Sequence, residues 1–406
     1  MRKIVVTFAL LFLVLSNPSC EEFLYRYAPG DRYRILSVVK EDVYRDRVLN
    51  HRAEILNRIA VEVTGVNDGK GRHRAIFQTS ERSVPAGSGK SSLPAGSVFQ
   101  WAREYESEFE RDKLGYLAID SKYFMPVVRN VPVFPGRDLK PGEKWSADGY
   151  EMHDFRDAFG IAEPYRIPFT ANYTFLGDRQ WKGKTYPAFS VYYRIITEPQ
   201  PVQGRVWPKR IIGSSDQVVY WDAAHGQAIA YEEKFNLIFE LSNGMTFEYR
   251  GTAEAEVIES EYMDKEKVIS EINEDIERLK ITDVVVKAVE EGVSISLDDI
   301  MFYPDSAVML AGEREKLDRI AEILKRYPDR DIMVSGHTAR VGSNDVNQKL
   351  SEARAKAVTD YLLSKNVRTA DRIVVRGFGA ERPIADNSTE EGRRKNRRVD
   401  ITILEN

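Results

Sequence analysis

The chain has 406 residues, enough for two or three domains each with its own core. Its formal charge of −4, with 42% hydrophobic and 30% charged residues, excludes a general nucleic-acid or anionic-membrane binder and fits an ordinary folded protein. A single cysteine excludes an intramolecular disulfide.

Arg2 and Lys3 precede an apolar run from Ile4 to Leu15, followed by Ser16-Asn17-Pro18-Ser19-Cys20. A basic head, a short apolar core and small residues predict a secretory signal over residues 1–20. The run is shorter than the ~20 apolar residues a spanning helix needs. The expected location is therefore periplasmic. Cys20 sits where a lipoprotein carries its anchor, although Ser16 and Asn17 replace the usual aliphatic residue before it. Lipidation at Cys20 and ordinary cleavage near Ser19 both remain open.

Residues 21–260 read as β-rich. Apolar and polar residues alternate at Ile59–Val66, Arg74–Gln78, Phe169–Phe175, Phe189–Ile196, Val218–Trp221, Ala228–Leu241 and Met245–Glu256. Turn residues separate these runs, and Asn243-Gly244 gives the strongest expected type I′ hairpin. Pro132, Pro135 and Pro141 suggest a division into two β-rich domains, 21–131 and 132–260, each sandwich- or barrel-like. Gly89-Lys90-Ser91 mimics the end of a phosphate-binding loop, but Val84 stands where that motif needs glycine, so a floppy loop is expected. Asp148, Glu151, Asp154 and Asp157, with His153, form an acidic patch without calcium-loop spacing, read as a solvated loop.

Over residues 261–283 the period changes. Ile269, Ile272, Ile276 and Leu279 share one helical face, which predicts a linker helix packed on its own chain. From 284 to 406 strands and helices alternate: strands at Val293–Phe302, Ile332–Ser335, Ile373–Arg376 and Val399–Leu404, helices at Glu313–Arg326 and Asn347–Ser364. The whole chain is thus expected to be an α+β multidomain protein.

Within Ser294–Asn406 stand "IMFYPDSAVML", "IMVSGHTARVGSNDVNQKLSEARAKAVTDYL", "RIVVRGFGAERPIADN" and "EEGRRKNRRVDITI". Together, in this order, they resemble the OmpA/MotB-type peptidoglycan-binding domain. The resemblance covers the last third of the chain and implies a two-layer α/β sandwich that reads the peptide stem of peptidoglycan. In the family a G-H-T-D loop supplies a carboxylate for the ammonium of the stem's diamino acid, and an arginine fifteen residues later holds its carboxylate. Here the loop is Gly336-His337-Thr338-Ala339, and the arginine is Arg354. Further family positions fall on Asp305, Asn347 and Arg398. A zwitterionic ligand needs partners of both signs, and one charge-assisted hydrogen bond contributes ~1.5–3 kcal/mol. With Ala339 in that place the resemblance implies weak or lost binding, unless Asp345 supplies the carboxylate or the wall carries another diamino acid. The alternative reading is that Arg354 only braces the loop through its carbonyls.

His337 has no nucleophile or metal-binding companion in the sequence, so it is read as a structural loop residue, and no catalysis, metal or cofactor is expected. Arg393-Arg394-Lys395 with Arg397-Arg398 reads as a wall-facing rim or a solvated turn, not a nucleic-acid patch. No spanning helix with an intramembrane carboxylate is present, which disfavours a flagellar stator. The expected protein is a non-catalytic envelope component that tethers or organises the envelope at peptidoglycan, with a lipid-anchored form through Cys20. The alternative is a scaffold that no longer binds peptidoglycan and meets envelope proteins through its β-rich domains.

Overall fold

The computed structural model describes residues 22–86, 98–201, 203–258, 263–298, 302–303, 306–310 and 312–405. The expected signal segment with Cys20, the Gly89-Lys90-Ser91 loop and Asp305 lie outside the described residues.

The N-terminal two-thirds form an antiparallel meander. Its first strands are β1 (Arg32–Arg45), β2 (Val48–Asn67), β3 (Lys70–Pro85), β4 (Phe99–Arg111) and β5 (Leu117–Ile119). After them come β6 (Val128–Arg129), β7 (Lys144–His153), the one-turn α1 (Arg156–Phe159), β8 (Tyr165–Trp181), β9 (Lys184–Thr197), β10 (Pro208–Asp222), β11 (Gln227–Leu241) and β12 (Thr246–Ile258). Consecutive strands pair from β1 to β5 and from β6 to β12, and β12 returns to pair with β1 along its length. The last pairing places strands from both sides of the expected Val131/Pro132 division in one sheet. The prolines there mark a crossing segment whose Val133, Phe134 and Leu139 are buried in the interior.

The sheet curls around that interior. Ile167, Phe169, Tyr173, Val191, Tyr193 and Ile195 alternate inward from β8 and β9 into a shared core. Phe23 and Tyr25, ahead of β1, join Phe134, Phe175, Phe189 and Trp221 in an aromatic cluster that closes one end. Phe23 meets Phe189 edge-on at 4.8 Å, a favoured aromatic geometry.

The turns refine the sequence expectation. Asp68-Gly69 and Lys182-Gly183 have positive φ at both positions, as a type I′ turn requires. At Asn243-Gly244 only the glycine does; the Leu241 and Met245 backbones pair across a longer loop in which the Asn243 side chain caps Met245 N–H. Asp46-Arg47 turns β1 into β2 with positive φ at both residues and no glycine at all.

The C-terminal part begins at α2 (Lys265–Arg278), started by Asp264, whose side chain accepts from Lys267 N–H. Ile272 is fully buried in the C-terminal core, so this helix is part of that domain and not a free linker. It is followed by β13 (Val284–Val289), β14 (Gly292–Asp298), α3 (Glu313–Leu324), β15 (Ile332–Gly336), α4 (Asn344–Ser364), β16 (Ile373–Gly377), α5 (Glu390–Asn396) and β17 (Arg398–Leu404). The sheet order is β13-β14-β17-β15-β16, with only β15 and β16 parallel. Along β17, Val399, Ile401 and Ile403 pack with α2, α3 and α4, while Arg398, Asp400 and Thr402 point to the opposite face. That opposite face meets the meander: Met333, Val374 and Leu404 pack on Leu56 and Phe99, and β16 pairs with β4 at Val374↔Phe99.

Candidate functional site

The loop 337–343 leaves β15 and enters α4. It starts at Gly336 for a steric reason: a Cβ there would lie 2.0 Å from the Ser351 carbonyl oxygen on α4. Ser343 caps the helix, its side chain accepting from Val346 N–H at 3.3 Å. Backbone hydrogen bonds fix the loop on three sides: His337 N–H to Arg398 O, Thr338 N–H to Gly379 O, and Phe378 N–H to Gly336 O.

His337 is buried and stacks on Phe378 with ring centroids 5.0 Å apart. Its Nε2 lies 3.0 Å from Asp400. Burial holds the imidazole below its usual pKa against the pull of Asp400. Burial pushes the Asp400 carboxyl upward, but His337 and Arg398 outweigh it and keep it below the ordinary carboxylate range. The arrangement is a neutral histidine beside an ionised aspartate, fixing the strand end under the loop. Asp400 was not picked out from the sequence, although an acid inside the apolar run "VDITI" was a legible sign of a buried pair.

Ala339 is 4% exposed, so its methyl group is enclosed in the loop. Asp345 lies exposed in the first turn of α4, and Arg340 is exposed with its N–H bound to Asn387. Asn347 is 4% exposed and its Nδ2 has no hydrogen-bond partner; the same holds for Thr338 Oγ1. Gly379 bridges the two segments, since it accepts from Thr338 and lies against the backbone of Asn347 and Gln348.

Arg354, two turns further along α4, is also buried. Its Nε donates to the Ser306 carbonyl at 3.1 Å and its guanidinium lies 5.0 Å from the Phe302 ring centre. The structure therefore brings Ala339, Asn347 and Arg354 onto the first half of α4 and the loop before it, with Ser306 beside Arg354. Arg398 is placed elsewhere, with Asp400 at 3.2 Å and the Arg382 carbonyl at 3.2 Å, against a cavity of about 210 Å³ on the face away from the helices.

Two sequence readings are corrected here. The acidic patch is solvated only at Asp148 and Asp157, which are exposed. Glu151 is buried against Tyr193 Oη and His153, and Asp154 carries Arg156, Arg103 and Tyr105, which holds its carboxyl down at about 2. The basic run is not a turn: Arg393, Arg394 and Lys395 lie in α5, Arg397 caps it and Arg398 opens β17, with Arg393 and Arg397 paired to Glu390 and Lys395 to Glu391. Among the described residues no group of three His, Cys, Asp or Glu is placed to hold a metal ion.

Comparison with known proteins fits this geometry. Residues 301–397 match the OmpA family. The peptidoglycan-binding protein ArfA of Mycobacterium tuberculosis is 43% identical over 104 residues, 26% of this chain and 32% of that protein. The probable lipoprotein YiaD of Escherichia coli is 35% identical over 136 residues, 32% of this chain and 62% of that protein. Among solved structures, the cell wall anchor of the T6SS from Pseudomonas aeruginosa is 30% identical, covering 34% of this chain and 96% of that one, with a TM-score of 0.29. The chain spans about a third of the length of the curated relatives it matches first.

Proposed function

Residues 301–397 thus form an OmpA-family domain, and from that premise we propose that this chain is a non-catalytic envelope protein that meets peptidoglycan through the loop 337–343 and the part of α4 carrying Asn347 and Arg354, with Asp305 as a further family position, weakly because of Ala339. The observation that carries this reading is the position of Arg354. It stands on α4, buried, with Ala339 and Asn347 in the adjoining turn and loop and the Ser306 carbonyl as neighbour. A guanidinium so held suits one carboxylate of a stem peptide. Support from relatives is that ArfA is named a peptidoglycan-binding protein. In the resemblance the ammonium of the same ligand needs a carboxylate at position 339, and the methyl group there offers none. Asp345, exposed in the first turn of α4, is the acid nearest to that place in sequence.

The location that accompanies this function is the periplasm, with a membrane tether through Cys20 where the signal is processed as a lipoprotein. The second reading is a scaffold without wall binding, acting through envelope proteins. One observation favours it: Arg354 already spends its Nε on the Ser306 carbonyl and its face on Phe302, as a loop brace does.

The test is retention of the full chain on purified sacculi, wild type beside Ala339→Asp and Arg354→Ala. Wall contact predicts weak retention that Ala339→Asp strengthens about ten- to a hundredfold and Arg354→Ala abolishes. Failure of all three proteins to bind leaves the scaffold.

A further inference from the structure

The curled meander is not filled. Between β1, β2, β3, β10, β11 and the crossing segment 125–132 lies a cavity of about 550 Å³, within the range of small-molecule sites. A well-packed domain leaves few voids larger than a water molecule. Ile35, Ile59, Phe77, Met125, Val131 and Val219 supply its walls. Among the described residues no backbone pairing joins β4 to β7, and the segment carrying Met125 and Val131 lies between them.

One end of the cavity is cationic. Arg111, the last residue of β4, lines it beside Tyr25, Tyr27 and Tyr33. Its guanidinium rests 5.1 Å from the Tyr25 ring centre and 5.7 Å from that of Phe109. Its Nε is buried with no hydrogen-bond partner, and no carboxylate lies within ion-pair distance among the described residues. A buried guanidinium normally finds an acceptor, because an unmet one costs its full desolvation. Asp31 on the rim is turned to the Ala28 N–H, and Arg32 to Glu62. The far wall carries Glu233, but that carboxylate is answered within the protein by Ser215 at 2.6 Å and Gln217 at 3.3 Å. Arg26, also on the lining, donates to the Ala223 and Ala224 carbonyls, so among the described residues Arg111 is the buried cation left without an acceptor at the end of an apolar chamber.

We propose that the N-terminal meander is a binding compartment for a single-chain amphiphile, its anionic head on Arg111 and its hydrocarbon tail along Ile59, Phe77 and Val219. This rests on the cavity and its charge alone and is independent of wall binding. The aromatic rings around Arg111 exclude water from the head group, which strengthens the contact. Two head chemistries, carboxylate and phosphate monoester, present the oxygen pair that a guanidinium fork accepts.

The experiment titrates the full-length protein with the fluorescent fatty acid cis-parinaric acid, then displaces it with hexadecanoic acid, hexadecyl phosphate or uncharged hexadecanol. Saturable binding at one probe per chain is expected. Arg111→Gln should weaken the two acids about tenfold or more and leave hexadecanol within about twofold. Whichever acid displaces at lower concentration identifies the head. Ile59→Trp, which fills the chamber, should remove binding of all three while circular dichroism stays that of the wild type. If Arg111→Gln misfolds, Arg111→Lys keeps the charge and should keep the preference for acids over the alcohol. Absence of saturable binding by the wild type overturns the proposal, as does equal weakening of acids and alcohol by the Arg111 variants.

Discussion

Arg58 of β2 and Asp331, the residue before β15, meet at 2.5 Å although 273 positions separate them in sequence. Both side chains are about nine-tenths buried, and Asp331 also holds Arg372 at 2.8 Å. The pair joins the β meander to the C-terminal domain, with Arg34 and Lys265 converging on Glu405 beside it. The two parts are thus fastened by buried charge as well as by the Leu56, Phe99 and Leu404 contacts.

Removing one partner of such a pair is costlier than never having had it, because the remaining charge stays out of water. Asp331→Ala leaves two guanidinium groups facing each other and should cost about 3 kcal/mol in urea unfolding. Arg58→Met leaves Asp331 with Arg372 and should cost about 1 kcal/mol. Equal midpoints for Asp331→Ala and wild type would remove this junction from the stability of the protein.

His73 is fully buried on β3, stacked on Phe109 at 5.0 Å. Burial lowers its pKa from 6.5 to about 4, with Arg111 acting in the same direction. Between those values the unfolded chain binds a proton that the folded chain refuses, so stability falls as pH drops through this window. At pH 5 the loss from this residue amounts to about 2 kcal/mol. His73→Leu should shrink the difference in unfolding free energy between pH 7.5 and pH 5 by about that amount. An unchanged difference would show that His73 titrates normally.

Gly336→Ala pushes a methyl group into the Ser351 carbonyl, and backbone on both sides prevents an easy shift. The expected cost is at least the ~1–3 kcal/mol typical of overpacking. The loop 337–343 should move with it, so sacculus retention, where present, falls in parallel. A variant with wild-type stability would mean that β15 and α4 separate freely.

Asn347 places an amide whose Nδ2 has no partner in a buried site. Replacing such a group by an apolar one of similar size is close to neutral or stabilising. Asn347→Leu should therefore match or exceed the wild type in thermal unfolding while losing wall contact. A clear fall in melting temperature would mean that the amide serves the fold and not a ligand.

Much of the chain could be read in advance. The seven alternating runs of the N-terminal part fall in strands, Met245 alone standing one residue before β12, because period-two burial is a local property of a half-buried sheet. The helix at Ile269–Leu279, the strands β14 to β17 and the helices α3 and α4 were legible from their own periods, and their order carried the family resemblance, whereas β13 and α5 were not expected. What stayed hidden depended on partners far away. β1 was not expected as a strand, since "RYRILSVVKEDVYR" alternates only once β2 and β12 flank it. The turn at Asp46-Arg47 lacks glycine, and its aspartate is answered by Thr246 N–H, 200 residues on.

The alternation of strands, the α/β order of the last third and the methyl group at position 339 were legible locally, because these are set by residues within a few positions of one another. Only the tertiary structure decided that the two proline-separated halves share one sheet, that Arg398 turns away from Arg354, and that Arg111 faces an open chamber. Each of these follows from pairings between distant strands, β12 with β1 and β17 with β15, and a local pattern carries no information about which strand will stand beside it.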